Sequence, residues 1–220
     1  MGATFVDIAQ NCAPMVQMET LAAVVSLESR FQPFNIRLNS GKPLAAQPAS
    51  KAEAIELATS LIADHQDIRI GLGGVGVDQL QKLNLSVSDA FDPRLNLKAT
   101  ATFLDGYYRL AQRFGRNPEG AETVMLQSYY GRNDPSPGEI VQYDQQVRDE
   151  AKRLSSRLKS LVLVEPNRED ARKDQVKEQA AAKIGTKVTQ NEEPVTWDVF
   201  RSRRLSSVLV FQNDRSEQSE

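Results

Sequence analysis

Apolar side chains recur every three or four residues through most of positions 1–164, while runs of alternating or β-branched residues are short. This spacing is the period of an amphipathic helix, so the pattern predicts many helices and few strands. The apolar positions place the helices around residues 5–9, 21–28, 54–62, 77–83, 97–111, 124–125 and 140–158. We therefore expect residues 1–164 to form one mainly α domain, a bundle of helices.

Two local signals refine this prediction. Ser50 followed by Glu53 is a capping box, in which both side chains accept hydrogen bonds from backbone amides at the helix start. Residues 67–76 contain too many glycines for a helix and indicate a loop or a short pair of strands. The helical bundle is thus expected to contain one short glycine-rich β or loop segment.

The composition of the chain changes after residue 164. Residues 165–220 carry ten basic and eleven acidic side chains among 56 positions, so they hold too little apolar surface to offset the entropy cost of ordering them. We expect this C-terminal tail to be disordered. Within it, residues 197–211 hold the only tryptophan and an apolar run, which fits either a strand that folds back or a docking segment for another protein.

The composition excludes several classes of function. A net charge of -2 gives no reason to expect a nucleic acid as partner, and no run approaches the roughly 20 apolar residues of a membrane span. The single cysteine, Cys12, and the single histidine, His65, allow no internal disulfide, Cys/His zinc cluster or CxxC pair. We expect His65 to lie at the exposed end of a helix, and we expect no metal and no cofactor.

A glycine-rich run at residues 71–76 matches the dinucleotide-binding pattern GxGxxG. That motif needs a buried strand before it, a helix after it and then a second parallel strand. Here only Ile68 and Ile70 favour a strand before the run, and no apolar strand follows it before the helix at Leu97. The run is therefore interpreted as a flexible turn or as backbone that must approach an extended ligand closely.

Glu28 is the candidate catalytic residue. It lies seven, four and three positions after Leu21, Val24 and Val25, so a helix places its carboxyl on the same stripe as three aliphatic side chains. A carboxyl in a low dielectric disfavours its charged form, which suits a general acid that works near neutral pH. The alternative is an ordinary glutamate at a helix end that pairs with Arg30 or turns outward.

Four segments, in this order along the chain, resemble a known family. Residues 28–33 (Glu-Ser-Arg-Phe-Gln-Pro) resemble the Glu-Ser-x-Phe-x-Pro signature of soluble lytic transglycosylases and goose-type lysozymes. Residues 71–72 resemble the start of its Gly-Leu-x-Gln segment, residues 92–97 its Asp-Pro-x-x-Asn-Ile segment, and residues 128–130 its Ala-Tyr-Asn segment. Residues 8–14 and the Tyr-Tyr-Gly at 129–131 look specifically like the transglycosylase component of bacterial type IV secretion systems.

The resemblance implies a lysozyme-like α+β fold over about residues 3–155 and an enzyme that cleaves peptidoglycan. In that family the glutamate matched by Glu28 protonates the glycosidic oxygen between N-acetylmuramic acid and N-acetylglucosamine. As a carboxylate it then takes a proton from the muramyl C6 hydroxyl, and a 1,6-anhydro ring closes without water. Because no water is activated, this chemistry needs no second carboxylate, unlike the usual glycosidase pair.

The resemblance also gives roles to other side chains. The residues that it assigns to substrate binding are Ser29, Gly71, Leu72, Gly73, Tyr129 and Tyr130. Tyr129 matches the tyrosine that orients the catalytic carboxyl, and Ser29 matches the serine near the cleaved sugar. Residues 71–72 would line the cleft and bind acetamido groups through their backbone atoms.

This chain departs from the family pattern at three positions. Gly74 and Gly76 stand where the family has glutamine and commonly a polar amide, and Tyr130 replaces an asparagine. A lost hydrogen bond of this kind weakens substrate binding by about 1–3 kcal/mol if nothing else replaces it.

We therefore expect a peptidoglycan lytic transglycosylase that opens the cell wall for type IV secretion or conjugation. The alternative is an assembly factor of the secretion system that binds glycan but has little or no catalytic activity. The expected partners are glycan strands and other secretion components, the latter through residues 197–211. Residues 1–6 lack the features of an export signal, so a periplasmic location is inferred from the substrate alone.

Overall fold

The structure is a computed structural model and describes residues 4–161. Its helices are α1 (Phe5–Cys12), α2 (Met18–Ser29), α3 (Lys51–Ala63), α4 (Val77–Lys82), α5 (Val87–Ala90), α6 (Pro93–Arg113), α7 (Pro118–Gly131), α8 (Ser136–Ile140) and α9 (Tyr143–Leu154), followed by a 3-10 turn at Leu158–Ser160. Its strands are β1 (Ile36–Leu38), β2 (Ile68–Ile70) and β3 (Val75–Gly76). The prediction of a mainly α member of the α+β class is confirmed. The tail and its docking segment at 197–211 lie outside the described residues.

The cap of α3 forms largely as predicted. The Ser50 hydroxyl accepts a hydrogen bond from the Glu53 amide at 3.2 Å, which satisfies one of the free donors at the helix start. The Glu53 carboxylate accepts from the Ala49 amide at 2.8 Å, so it bonds one residue earlier than a capping box requires. Reciprocal capping boxes form instead at the starts of α1 and α5.

The end of the bundle differs from the prediction of one long helix over 140–158. Ile140 belongs to the short helix α8 and is 82% exposed, so it does not continue the apolar face of α9. Gln142 has a φ of +52°, and this left-handed residue separates the two helices. The apolar period alone gives no sign of such a break.

A three-stranded antiparallel sheet packs beside the helices in the order β1-β2-β3. Of the two alternatives for residues 67–76, a loop or a short pair of strands, the structure shows the pair, as β2 and β3. Strand β1 is too short to produce a detectable alternation. Ile36 lies opposite Ile70, and Ile70 lies opposite Val75, so these three buried side chains share one face. The residues next to them along each strand point to the other face of the sheet, because side chains alternate along a strand.

Two apolar cores hold these elements together. The first lies among α1, α2, α6, α7 and α9 and includes Leu72, and the second joins the sheet to α3, α4 and α5. Phe103 packs against both cores. Residues near the two ends of the described range also meet, because the Phe5 amide donates to the Leu161 carbonyl at 2.9 Å. Among residues 4–161, no helix has both the length and the apolar character that crossing a bilayer requires.

Candidate active site

Glu28 lies in the last turn of α2 and points into the protein. Leu21, Val24 and Val25 are fully buried on the same helix, and only 1% of the Glu28 side chain is exposed. The helix ends directly after this position because Arg30 takes the left-handed conformation, with a φ of +53°. The predicted inward orientation of the carboxyl is confirmed, and the alternative of an outward-facing glutamate is excluded.

Among residues 4–161, three side chains form hydrogen bonds or ion pairs with the Glu28 carboxylate. The Tyr143 hydroxyl donates a hydrogen bond to Oε1 at 2.8 Å. The Arg37 guanidinium donates to Oε2 and forms an ion pair with it, and Nη1 of Arg69 lies 3.9 Å from the same oxygen. Both oxygens of the buried carboxylate therefore have partners, as a charge removed from water requires.

The two arginines come from neighbouring strands. Arg37 of β1 lies directly opposite Arg69 of β2, so both side chains project from the same face of the sheet. Like charges in such a pair repel each other, and the Glu28 carboxylate between them offsets that repulsion. Arg69 is held further by Asn39, whose Oδ1 accepts from its Nε at 3.3 Å, and by the Tyr130 carbonyl.

Gly74 forms the wall of the site next to the carboxylate. A Cβ at this position would lie 2.6 Å from Oε2 of Glu28, and the φ of Gly74 is +65°. Any larger side chain at this position would collide with Glu28 and would also strain the backbone. The missing glutamine at 74 is thus explained by the close packing of the backbone on Glu28.

The neighbouring glycines allow the same segment to pack closely on α6. A Cβ on Gly71 would lie 2.2 Å from Nδ2 of Asn96, and one on Gly73 would lie 1.9 Å from Oγ1 of Thr100. The Gly73 amide donates to Oδ1 of Asn96 at 2.8 Å, and the Leu72 side chain lies in the first core. The close backbone approach predicted for this run is therefore made to helix α6 and to Glu28, and glycan contacts at 71–73 stay a prediction.

Tyr129 and Ser29 are buried beside Glu28 without hydrogen bonding to its carboxylate. The Tyr129 hydroxyl donates to the Gly73 carbonyl at 2.6 Å, so it holds the glycine segment in place. The Ser29 hydroxyl donates to the Val25 carbonyl at 3.0 Å within α2. The hydroxyl that holds the carboxyl belongs to Tyr143, whereas the family resemblance assigns this role to Tyr129.

The aromatic rings of Tyr130 and Tyr143 lie beside the arginines of the site. The Arg69 guanidinium lies 5.1 Å from the centre of the Tyr130 ring, a distance that allows a cation–π contact. The Tyr130 ring in turn lies 5.0 Å from the ring of Tyr143. Tyr130, a predicted substrate-binding residue, is half-buried and contacts Arg69 and Tyr143, both of which lie against Glu28.

The buried hydroxyls of Tyr129 and Tyr143 are neutral hydrogen-bond donors at ordinary pH. Burial raises the pKa of the Tyr143 hydroxyl well above its usual value, and the charge of Glu28 raises it further. Burial, followed by the charge of Glu28, likewise raises the pKa of Tyr129. Tyr143 therefore keeps the proton that it donates to the carboxylate.

The residues of this site differ in how far the sequence alone predicts their place in it. Tyr143 lies on the apolar face of a predicted helix, so its burial is predictable but its contact with a residue 115 positions away is not. Arg37 and Arg69 meet only through strand pairing, for which the sequence shows no signal at β1. Within residues 4–161, no three His, Cys, Asp or Glu side chains are grouped as a metal site requires.

The fold and the site define a class: a mainly helical α+β protein with a buried glutamate at a helix end, held by a tyrosine and two arginines. Among curated proteins, the chain is 37% identical over 130 residues to the "Type IV secretion system protein virB1" of Brucella suis, which covers 59% of this chain and 54% of the relative. It is 28% identical over 156 residues to "Protein virB1" of Agrobacterium fabrum, 69% of this chain and 61% of the relative. The chain therefore has homologues that are named VirB1, and the name of the Brucella relative describes it as a protein of the type IV secretion system.

These similarities have a defined extent. The chain spans about half the length of the Brucella relatives that it matches. No protein-family profile matches it, and no solved structure matches it significantly.

Proposed function

We propose that this protein is a peptidoglycan lytic transglycosylase of a type IV secretion system, and that Glu28 is its acid and then its base. The observation that carries the proposal is a buried carboxylate at a helix end whose contacts, among residues 4–161, are a tyrosine and two arginines. The VirB1 names of its homologues support the secretion context, and the ordered motifs support the reaction.

The proposed reaction uses Glu28 twice. The protonated carboxyl gives its proton to the glycosidic oxygen as the bond from the muramyl C1 breaks. The resulting carboxylate takes the proton of the C6 hydroxyl as O6 bonds to C1, which closes the anhydro ring and restores the acid. Tyr143 holds the carboxyl in place, and Arg69 balances its charge after the proton has left.

The cell wall that this reaction would open lies in the periplasm, so we propose that the protein acts there. Its proposed partners are the glycan strand and other components of the secretion machine, the latter through residues 197–211. The alternative function is an assembly factor that binds glycan with little or no cleavage. The ion pair between Arg37 and Glu28 favours this alternative, because Arg37 occupies an oxygen that a general acid needs to present to the glycosidic oxygen.

Mass spectrometry of the soluble products from purified sacculi tests the proposal. Wild-type protein and E28Q are incubated in parallel, with E19Q as the matched control, because Glu19 is an exposed glutamate on the same helix. We expect anhydromuropeptides from wild type and E19Q and none from E28Q. Products with reducing ends would show a hydrolase, and binding to sacculi without products from wild type would show the assembly factor.

A further inference from the structure

The charges around Glu28 do not balance. Within the described residues, the carboxylate meets two guanidinium groups, one from Arg37 and one from Arg69. The other contacts of Arg69 are with Asn39 and Tyr130, which are neutral, so the Glu28 carboxylate and its two guanidinium partners carry a net charge of +1. The next carboxylate, Asp67, bonds to Asn39 and is already paired with Arg132. A site of this kind favours a second anion.

The two arginines differ in their freedom to move. The Arg69 side chain is 5% exposed and is fixed by Asn39 and by the backbone and ring of Tyr130. The Arg37 side chain is 39% exposed, and its Nη2 bond to Glu28 is the contact that holds it among residues 4–161. Arg37 can therefore turn away from Glu28, whereas Arg69 stays in place.

The proposed reaction requires such a movement. As an acid, Glu28 must carry a proton on an oxygen that lies within hydrogen-bond reach of the glycosidic oxygen. Tyr143 occupies Oε1, and Arg37 occupies Oε2. Because Gly74 closes another side of Oε2, the departure of Arg37 is what opens this oxygen to the substrate.

We infer that Arg37 is an exchangeable counter-ion that leaves Glu28 to bind a carboxylate on the glycan strand, and that it thereby sets substrate preference. This inference rests on the proposed function. The muramyl sugar carries a lactyl ether whose carboxyl group is a free carboxylate in peptide-free strands and a neutral amide where a peptide is attached. A guanidinium binds a carboxylate through two parallel N–H donors, which a neutral amide cannot accept equally well.

The exchange couples substrate binding to the accessibility of the Glu28 carboxyl. Moving Arg37 between two carboxylates keeps the guanidinium paired in both states, so no charge is left buried alone. When Arg37 leaves, Oε2 of Glu28 loses its closest cation and becomes accessible to the glycosidic oxygen. The enzyme therefore prefers glycan strands whose muramyl carboxylates are free.

The test compares two glycan substrates that differ only in this charge. One is peptide-free strands with free lactyl carboxylates, and the other is the same strands with the carboxylates converted to methyl amides. Wild type, R37Q and R37K are assayed on both, with K42Q as the control because Lys42 is an exposed cation near β1. Cleavage is measured as kcat/KM, and binding is measured by calorimetry on short fragments of both kinds.

We expect wild type and K42Q to prefer the free carboxylate by about tenfold or more, as loss of a charged hydrogen bond implies. R37Q should lose the preference, and R37K should keep part of it. Equal kcat/KM of wild type on both substrates, or an unchanged preference in R37Q, would overturn the inference. If nothing is cleaved but wild type binds the free carboxylate more tightly and R37Q does not, the proposed reaction fails while the role of Arg37 stands.

Discussion

At the scale of single residues, the carboxyl of Glu28 is fixed on both of its oxygens by groups from distant parts of the chain. Tyr143 follows it by 115 positions, and Arg37 and Arg69 come from two strands of the sheet. A buried charge persists only when each lone pair has a partner. Each partner can therefore be tested by a single substitution.

The first prediction concerns Tyr143. Y143F removes the hydroxyl that donates to Oε1 of Glu28 at 2.8 Å and keeps the buried ring. We expect anhydromuropeptide release to slow by about tenfold to a hundredfold, because a hydrogen bond to a charged group contributes about 1.5–3 kcal/mol. The control is Y108F, which alters a half-buried tyrosine in the first core. Equal release rates for Y143F and Y108F would contradict a role for this hydroxyl.

The second prediction concerns Gly74. G74A places a Cβ 2.6 Å from Oε2 of Glu28 on a residue with a φ of +65°, so we expect urea unfolding to show a loss of about 1–3 kcal/mol. The control is G106A on α6, where a Cβ meets nothing within 4 Å. G106A should gain about 0.5–1 kcal/mol through helix propensity. A G74A protein as stable as wild type, or more stable, would contradict the close contact of Gly74 with Glu28.

At the scale of secondary-structure elements, one side chain connects the glycine segment to the helices around it. Asn96 of α6 is buried, and its Nδ2 donates to the carbonyls of Ile70 and Ala90 at 3.2 and 2.8 Å. Its Oδ1 accepts from the Gly73 amide. The side-chain amide of Asn96 thus bonds to three backbone groups, one each from β2, the glycine segment and α5. These bonds fix the glycine segment beside Glu28 relative to α6.

A second contact between elements joins α2 to α9 and titrates with pH. Glu150 of α9 accepts hydrogen bonds from Arg153 and from Ser26 of α2. The bond from Arg153, followed by that from Ser26, lowers the pKa of Glu150 below its usual 4.5. Because the folded pKa is the lower one, this contact stabilises the fold above the unfolded pKa and is lost as pH falls through the folded value.

The third prediction follows from the lowered pKa of Glu150, which makes the contact stabilising at neutral pH and lost in acid. E150Q removes the charge, so we expect the difference in unfolding free energy between wild type and E150Q to be constant from pH 7 to about pH 5. The difference should then shrink as the pH falls further. Urea unfolding at several pH values measures it, with E139Q as the control because Glu139 is exposed. A difference that stays constant down to pH 3 would contradict the lowered pKa.

The elements divide clearly into those that the sequence predicts and those that it does not. The long helices α2, α3 and α6 are predictable because each repeats its apolar period over at least three turns. Strand β1 has three residues, and the break at Gln142 depends on a backbone angle, so neither leaves a periodic signal. The apolar period of α2 and the motif at residues 28–33 predict Glu28 as a site residue, whereas only the pairing of β1 with β2 brings Arg37 into the site.

At the scale of the whole molecule, the ends of the described range close on each other. The Phe5 amide bonds to the Leu161 carbonyl, and Leu158 is buried in the first core. These contacts join the start of α1 to the segment that follows α9, and the domain boundary at 164 stays a prediction. The proposed division of the chain at 164 is tested by truncation.

The fourth prediction is that a fragment of residues 1–164 unfolds in one cooperative transition. Its matched control is residues 1–154, which lacks Leu158 and the Leu161 carbonyl and should lose about 2 kcal/mol or more of unfolding free energy. Near-ultraviolet circular dichroism during urea unfolding measures both fragments. A non-cooperative transition in 1–164, or equal stability of the two fragments, would count against this boundary.

The contact of Gly74 with Glu28 also constrains how this chain and its relatives can have diverged. A chain that keeps glutamate at 28 accepts glutamine at 74 only if the carboxyl moves, because the glutamine Cβ would lie 2.6 Å from its Oε2. The resembling family carries both residues, so we expect its members to hold the glutamate carboxyl or the glycine segment in a different position. A change at residue 74 is therefore coupled to the position of the carboxyl at 28, and we expect these two positions to vary together among homologues.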